Sequence, residues 1–234
     1  LPVLALVAVA VNYDTFDLGP AEKANRQMGT TQAAIQWPYD GPVKQEPEYI
    51  RGYSDTTAGR NVPTDQDLLG HLPAGTTLLR NDTGSLRVHT LAGIGSVDTR
   101  MLDYTNPLAR GILTQVSGHA PTTDDEVVLT PKASERIGDT VKLADDSKTY
   151  KVVGIVEDPT NLDASTIVLH PGALPTAGRD TITWFAATPN PLTWADVKQL
   201  NLAGITAVSR YVLANPPAPG DLYQTGITRN QAAL

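Results

Sequence analysis

The sequence has no cysteine, few aromatic residues and no excess of positive charge. Its 234 residues include 2 Phe and 3 Trp, and 18 Lys and Arg face 25 Asp and Glu, which gives a formal net charge of −7. The absence of thiols excludes disulfide scaffolds, thiolate metal sites and cysteine nucleophiles. The acidic balance argues against a nucleic-acid partner, because proteins of that class cluster Lys and Arg on their binding surface.

Recognisable catalytic and nucleotide-binding motifs are also missing. There is no G-x-S-x-G sequence and no P-loop, and Gly93-Ile94-Gly95 lacks the third glycine of a dinucleotide-binding loop. No two histidines have the two- or four-residue spacing of a local zinc site. We therefore predict no catalytic, cofactor-binding or metal-ligating residues, and no cofactor. The four histidines are His71, His89, His119 and His170.

Two acidic clusters and the tryptophans remain as candidates for chemistry. Asp124-Asp125-Glu126 and the pair Asp65 and Asp67 bring carboxylates together, as acid/base and calcium sites do. Both clusters adjoin the predicted start of a strand or helix, where a solvated turn or a helix N-terminus also explains them. The tryptophans suit either a carbohydrate site or the hydrophobic core. They are Trp37, Trp184 and Trp194.

Residues 1–11, LPVLALVAVAV, form the one long apolar run. As a helix this run would rise about 16 Å, whereas a membrane span needs about 20 residues. It lacks the basic region and the cleavage pattern of an intact signal peptide. Two interpretations stay open, namely the end of a transmembrane helix and a buried strand or core helix.

Predicted strands outnumber predicted helices. Alternation predicts strands at 126–130, 140–144, 149–156, 166–170, 181–188 and 205–213, and a hairpin of 76–80 and 85–90 around Asn81-Asp82-Thr83-Gly84. Capping residues, proline in a first turn and a following glycine predict short helices. These helices begin near Pro20, Thr64, Thr130 and Thr193 and end near Gly29, Gly70, Gly138 and Gly204. This irregular mixture is typical of an α+β fold.

One segment, residues 111–172, carries a distinctive order of turns and strands. A glycine opens a loop that ends in proline and leads into a Glu-Val strand, then a Gly-Asp turn and a strand follow, and Val-Val-Gly-Ile-Val closes the hairpin. This pattern resembles the extracytoplasmic domain of bacterial ABC-transporter permeases of the FtsX/MacB type. Ile112 stands where that family often has a basic residue. The matching positions are Gly111, Gly118, Pro121, Glu126, Val127, Gly138, Asp139, Thr140 and 152–156.

The resemblance implies a two-lobed α+β domain on the outer face of the cell membrane, without an enzymatic activity of its own. Its partners would be an ABC ATPase, reached through the membrane helices, and a lipid, peptide or protein outside the cell. We expect residues 1–11 to end a transmembrane helix, 12–110 to form a stalk and the first part of lobe 1, 111–175 to form a hairpin-rich lobe 2, and 176–234 to return to lobe 1 and the membrane. The alternative function is a secreted hydrolase or carbohydrate-binding protein.

Overall fold

One long strand, Thr77–Thr90, joins two parts of a single mixed sheet. The structure is a computed structural model that describes residues 20–55, 62–90, 93–133, 136–173 and 181–223. Its helices are α1 Pro20–Met28, α2 Asp65–Leu69, α3 Trp194–Leu202 and α4 Arg210–Ala214. Its strands are β1 Ala33–Gln36, β2 Lys44–Gln45, β3 Gly52–Tyr53, β4 Thr77–Thr90, β5 Gly93–Leu102, β6 Thr114–Gly118, β7 Glu126–Leu129, β8 Thr140–Lys142, β9 Thr149–Glu157, β10 Thr166–Leu169, β11 Thr181–Ala187 and β12 Thr206–Ser209.

The main sheet has ten strands in the order β12, β1, β11, β4, β5, β10, β7, β9, β6, with β8 beside β9. The short strands β2 and β3 form a separate ribbon. Strands of both directions and interspersed helices confirm the predicted α+β class. The lobe boundaries remain a prediction, and residues 1–19 lie outside the described part of the chain.

The strands β4, β5, β10, β7, β9 and β8 curl into a small barrel. The ring closes where the end of β4 meets the residues that follow β8, through a bridge between Val88 and Leu143. There the Ala144 amide also donates to the Arg87 carbonyl at 2.9 Å. Apolar side chains from these strands fill the barrel, among them Met101, Val127, Leu129, Tyr150, Val152, Ile167 and Leu169.

Two further apolar clusters complete the core. In one of them, α2 and α3 pack against the strands β1, β11 and β12. We call these three strands the first part of the sheet. The other includes Met28 of α1, Phe185 and Val208 of the first part, and Val128 and Val153 of the barrel strands. Since this last cluster contains residues of both parts, their burial together holds the barrel against the first part of the sheet.

The predicted hairpin around Asn81-Asp82-Thr83-Gly84 is wrong, because β4 runs through these residues without a turn. Asn81, Asp82 and Thr83 pair with β11 on one side and with β5 on the other. Asn81 and Asp82 are 5% and 3% exposed. Ladder hydrogen bonds on two sides outweigh the preference of Asn, Asp and Gly for a turn.

Some of the predicted helix starts and ends are confirmed, and others are wrong. The capping boxes at Thr64 and Thr193 are both present, and α1 ends before Gly29, whose φ is +62°. For the helix predicted after Thr130, the described residues show a 3₁₀ turn, Pro131–Ala133. The predicted strand 205–213 is wrong beyond Ser209, since this residue caps α4 by accepting a hydrogen bond from the Val212 amide.

Both edges of the ten-stranded sheet carry a glutamine side chain. At β12 the Gln45 amide acts as a substitute strand, because its Oε1 accepts from the Ala207 amide at 2.9 Å and its Nε2 donates to the Ala207 carbonyl at 3.0 Å. At β6 the ladder is irregular between Gln115 and Ser117, and Gln115 Nε2 donates to the Ser117 and Ile155 carbonyls. Bulges and side-chain plugs of this kind protect exposed strand edges.

Replacing Gly118 with alanine should destabilise the fold more than replacing Gly138. Both residues have positive φ, but a Cβ on Gly118 would lie 2.2 Å from the Val153 carbonyl oxygen, whereas one on Gly138 meets nothing within 4 Å. We expect Gly138→Ala to cost about 1–2 kcal/mol from backbone strain, and Gly118→Ala roughly 2–5 kcal/mol because overlap is added. Urea unfolding measures both losses, and equal values would contradict the close approach at Gly118.

Candidate functional site

The residues that carry the family resemblance shape the turns around the barrel. Gly118 approaches β9 closely, and the following His119 amide donates to the Val153 carbonyl at 3.1 Å. Glu126 Oε2 accepts hydrogen bonds from the amide and hydroxyl of Thr122, both at 2.8 Å, and these bonds lower the pKa of Glu126. Each of these groups is therefore engaged in a turn rather than presented to a ligand.

The Gly138-Asp139 pair forms the second turn of this segment. The Gly138 amide donates to the Val152 carbonyl at 2.9 Å, and Asp139 Oδ2 accepts from the Arg136 amide at 2.8 Å. The Asp139 carbonyl in turn accepts from the Val152 amide at 2.9 Å. The turn therefore fixes the connection into β8 against β9.

Helix α1 is clamped at its C-terminal end by Arg210 of α4. The Arg210 guanidinium donates to the Gly29 carbonyl at 2.6 Å, to the Thr31 carbonyl at 3.1 Å and to Asn25 Oδ1 at 2.8 Å. Burial lowers the pKa of Arg210, which nevertheless keeps its positive charge at neutral pH. A cation at this position satisfies free carbonyls and stabilises the helix dipole.

The same helix is tied to the barrel by Arg26. Its Nη1 donates to the Pro159 carbonyl at 2.7 Å, in the connection between β9 and β10, and its Nη2 pairs with Glu22 Oε1 at 2.7 Å. Ala24 and Met28 on this helix are 1% and 0% exposed. Helix α1 is thus anchored to the first part of the sheet through Arg210 and to the barrel through Arg26.

A cavity of about 390 Å³ opens beside this anchor, between the β4–β5 hairpin, β10 and the connection 158–164. Most of its described lining residues carry polar side chains. The lining residues are Thr83, Gly84, Asp98, Thr99, Arg100, Asp158, Thr160, Asn161, Ala164 and Thr166.

Arg100 and Asp158 form the charged centre of this cavity. Arg100 Nη1 lies 3.3 Å from Asp158 Oδ2, and these side chains are 22% and 11% exposed. Asp158 Oδ1 accepts from the Thr160 amide at 2.8 Å and from its hydroxyl at 2.5 Å. Burial lowers the pKa of Arg100, and the Asp158 carboxylate acts in the opposite direction.

The histidines lie apart from one another and contact different partners. His89 Nε2 lies 2.9 Å from Asp146 Oδ1, and His170 Nδ1 lies 3.0 Å from Asp124 Oδ1. His71 packs edge-on against Trp37, with ring centroids 4.9 Å apart. Among the described residues, no three His, Asp or Glu side chains are grouped so that they could hold a metal ion.

The acidic clusters have local partners. Asp67 completes the cap of α2 by accepting from the Thr64 amide at 2.9 Å. Asp65 Oδ1 accepts from Trp184 Nε1 at 2.7 Å, and Asp125 Oδ1 lies 3.2 Å from Lys148 Nζ. The structure therefore does not bring these clusters together in one site.

The tryptophans belong to the core of the first part of the sheet. Trp184 and Trp194 are 1% and 8% exposed, and Trp37 packs against the same cluster. Trp194 Nε1 donates to the Asp221 carbonyl at 3.1 Å, and Trp37 Nε1 donates to the Ala203 carbonyl at 2.9 Å. Their ring N–H groups thus have partners inside the protein, and the rings anchor the core.

Sequence reasoning did not single out Arg26, Arg100 or Arg210, and it did not pair Arg100 with Asp158. Arg100 and Asp158 are 58 positions apart, and Arg26 bonds a residue 133 positions away. Arg210 bonds residues 179 to 185 positions away. No local pattern connects partners so distant, so these pairs become visible only when the fold is known.

Two solved structures are similar to this chain. One is the extracellular domain of the noncanonic ABC-type transporter YknZ from Gram-positive bacteria, with 11% identity, a TM-score of 0.44, and coverage of 62% of this chain and 88% of that chain. Another is a domain of a protein described as a permease, from Porphyromonas gingivalis, with 9% identity, a TM-score of 0.43, and coverage of 86% of this chain and 95% of that chain. No protein-family model and no curated protein matches the sequence.

None of the described helices combines the length and the apolar composition needed to cross a membrane.

Replacing Arg210 with glutamine should loosen α1. The change removes a charged donor to three oxygen atoms, so we expect a loss of about 2–3 kcal/mol in the free energy of unfolding. We also expect faster hydrogen exchange of the amides at residues 24–28, measured by mass spectrometry. Arg87→Gln, on the exposed β4 hairpin, is the matched control. Exchange at α1 that is unchanged in Arg210→Gln would contradict the clamp.

Proposed function

We propose that this chain is the extracytoplasmic domain of an ABC-transporter permease of the FtsX/MacB type, a non-catalytic module on the outer face of the cell membrane. The domain transmits movement between the membrane part, which binds the cytoplasmic ATPase, and a lipid, peptide or protein outside the cell.

The observation that carries this proposal is the double anchoring of α1. This helix follows the apolar run at residues 1–11 along the chain, and it is bonded to α4 by Arg210 and to the barrel connection by Arg26. A force applied to its N-terminal side therefore reaches both parts of the sheet without passing through a free loop. Such an arrangement suits the transfer of movement, because a rigid element couples sites better than a flexible one.

The residues behind the family resemblance support the same proposal. Gly111, Gly118 and Gly138 all have positive φ, and Glu126 and Asp139 stabilise turns. A pattern that maintains the fold, and presents no nucleophile or base, fits a mechanical or partner-binding module.

The test is whether an ABC ATPase depends on this domain. The full-length gene, expressed with the ATPase gene beside it and purified into nanodiscs, should yield a complex whose ATP hydrolysis responds to changes in α1. We expect Arg210→Gln and Arg26→Gln to leave the complex assembled but to change its ATPase rate by at least about threefold, since coupling energies of 1–3 kcal/mol are typical.

Arg87→Gln should leave that rate unchanged, because its exposed side chain is remote from α1 in the fold. Failure of any ATPase to co-purify, or equal rates in all variants, would overturn the proposal.

A further inference from the structure

Each of the neighbouring strands β4 and β5 has an acidic and a basic residue two positions apart. Only the two residues in β4 form an ion pair with each other. In β4, Arg80 Nε donates to Asp82 Oδ1 at 2.7 Å, and Asp82 is 3% exposed. In β5, Arg100 Nη1 instead donates a hydrogen bond to Asp158 Oδ2 at 3.3 Å. The Asp98 side chain, which is exposed, has no hydrogen bond or ion pair with another described side chain. Beside the Arg100–Asp158 ion pair, the Asp98 carboxylate therefore lines the cavity without pairing with Arg100.

Asp158 binds the Arg100 guanidinium through a single oxygen atom. Its Oδ1 is taken by Thr160, so one oxygen, Oδ2, is left for Arg100. A guanidinium has five N–H donors in a planar fork. Among described residues, Arg100 uses only Nη1, which leaves donors for a second acceptor beside the cavity.

The rest of the cavity lining narrows the chemistry of a ligand. Thr83, Thr160, Asn161 and Thr166 supply hydroxyl and amide groups, and the volume of about 390 Å³ suits a small molecule. A simple anion would meet Asp98 and Asp158 as well as Arg100, so a ligand with only negative charge is disfavoured.

We propose that this cavity binds a small zwitterion of the free α-amino acid class, with the ligand carboxylate on the Arg100 guanidinium and the ligand ammonium on the Asp98 carboxylate. Asp98 and Arg100 both line this cavity, so one small ligand can contact both charged groups. A charge-assisted hydrogen bond at each end would hold it. This inference concerns the cavity alone and stands apart from coupling to an ATPase.

The first measurement is saturation-transfer-difference NMR of the 234-residue chain with a mixture of the twenty amino acids. We expect transfer to at least one of them, and titration calorimetry with L-glutamine as the defined probe then tests the two charges. N-acetyl-L-glutamine lacks the ammonium group and L-glutaminamide lacks the carboxylate. Each should bind at least about tenfold more weakly than L-glutamine, because one charged hydrogen-bond pair is lost.

Substitutions test whether Asp98 and Arg100 are the side chains that bind the ligand. Asp98→Asn should weaken L-glutamine binding at least about tenfold without affecting the fold, since the Asp98 side chain is exposed and has no hydrogen bond or ion pair with another described side chain. Arg100→Gln should remove binding, and its far-ultraviolet circular dichroism shows whether it is folded. Arg87→Gln, in the adjacent strand, should bind as the wild type does.

The absence of saturation transfer from all twenty amino acids would overturn the proposal. So would undiminished binding in Asp98→Asn, or analogues with one charge that bind as tightly as L-glutamine.

Discussion

The structure depends on hydrogen bonding along both sides of one strand. β4 pairs with β11 through Thr77–Thr83 and with β5 through Asn81–Thr90, so three of its residues have strand partners on both sides. β4 is thus a strand of the barrel that also pairs with the first part of the sheet, which couples the two parts. A folding unit that shares a strand in this way should unfold as one cooperative transition rather than as two lobes.

The region around β4, where the two parts of the sheet meet, is polar on its inner surface. We call this region the seam. Arg80 bonds Asp82, lies 3.7 Å from Asp65 and stacks over the Trp184 ring at 5.8 Å. Close by, the side-chain oxygens of Asn81 and Thr99 are buried without a hydrogen-bond partner among the described residues. Unpaired buried polar atoms cost about 1–3 kcal/mol each. The seam is therefore less stable than the apolar cores on either side of it.

Local chemistry explains which features the sequence predicts. The caps at Thr64 and Thr193 and the turn at Gly138 depend on residues within a few positions of one another, and each could be predicted. The course of β4 could not, because pairing with distant strands overrides the turn preference of Asn81–Gly84. The strands β5 and β6 were also not predicted, because apolar and polar residues alternate only weakly in their sequences. The cavity at Arg100 could not be predicted for another reason. Asp158, the ion-pair partner of Arg100, lies 58 positions further along the chain.

The glutamines at the two sheet edges affect how the molecule behaves among copies of itself. Gln45 occupies the backbone groups of Ala207, and Gln115 fills the irregular ladder of β6, so neither end offers a regular row of amides and carbonyls. Open rows of this kind are templates on which neighbouring chains add strands and assemble into fibres. A protein with both rows interrupted can therefore reach a high local density on a surface without polymerising through its main sheet.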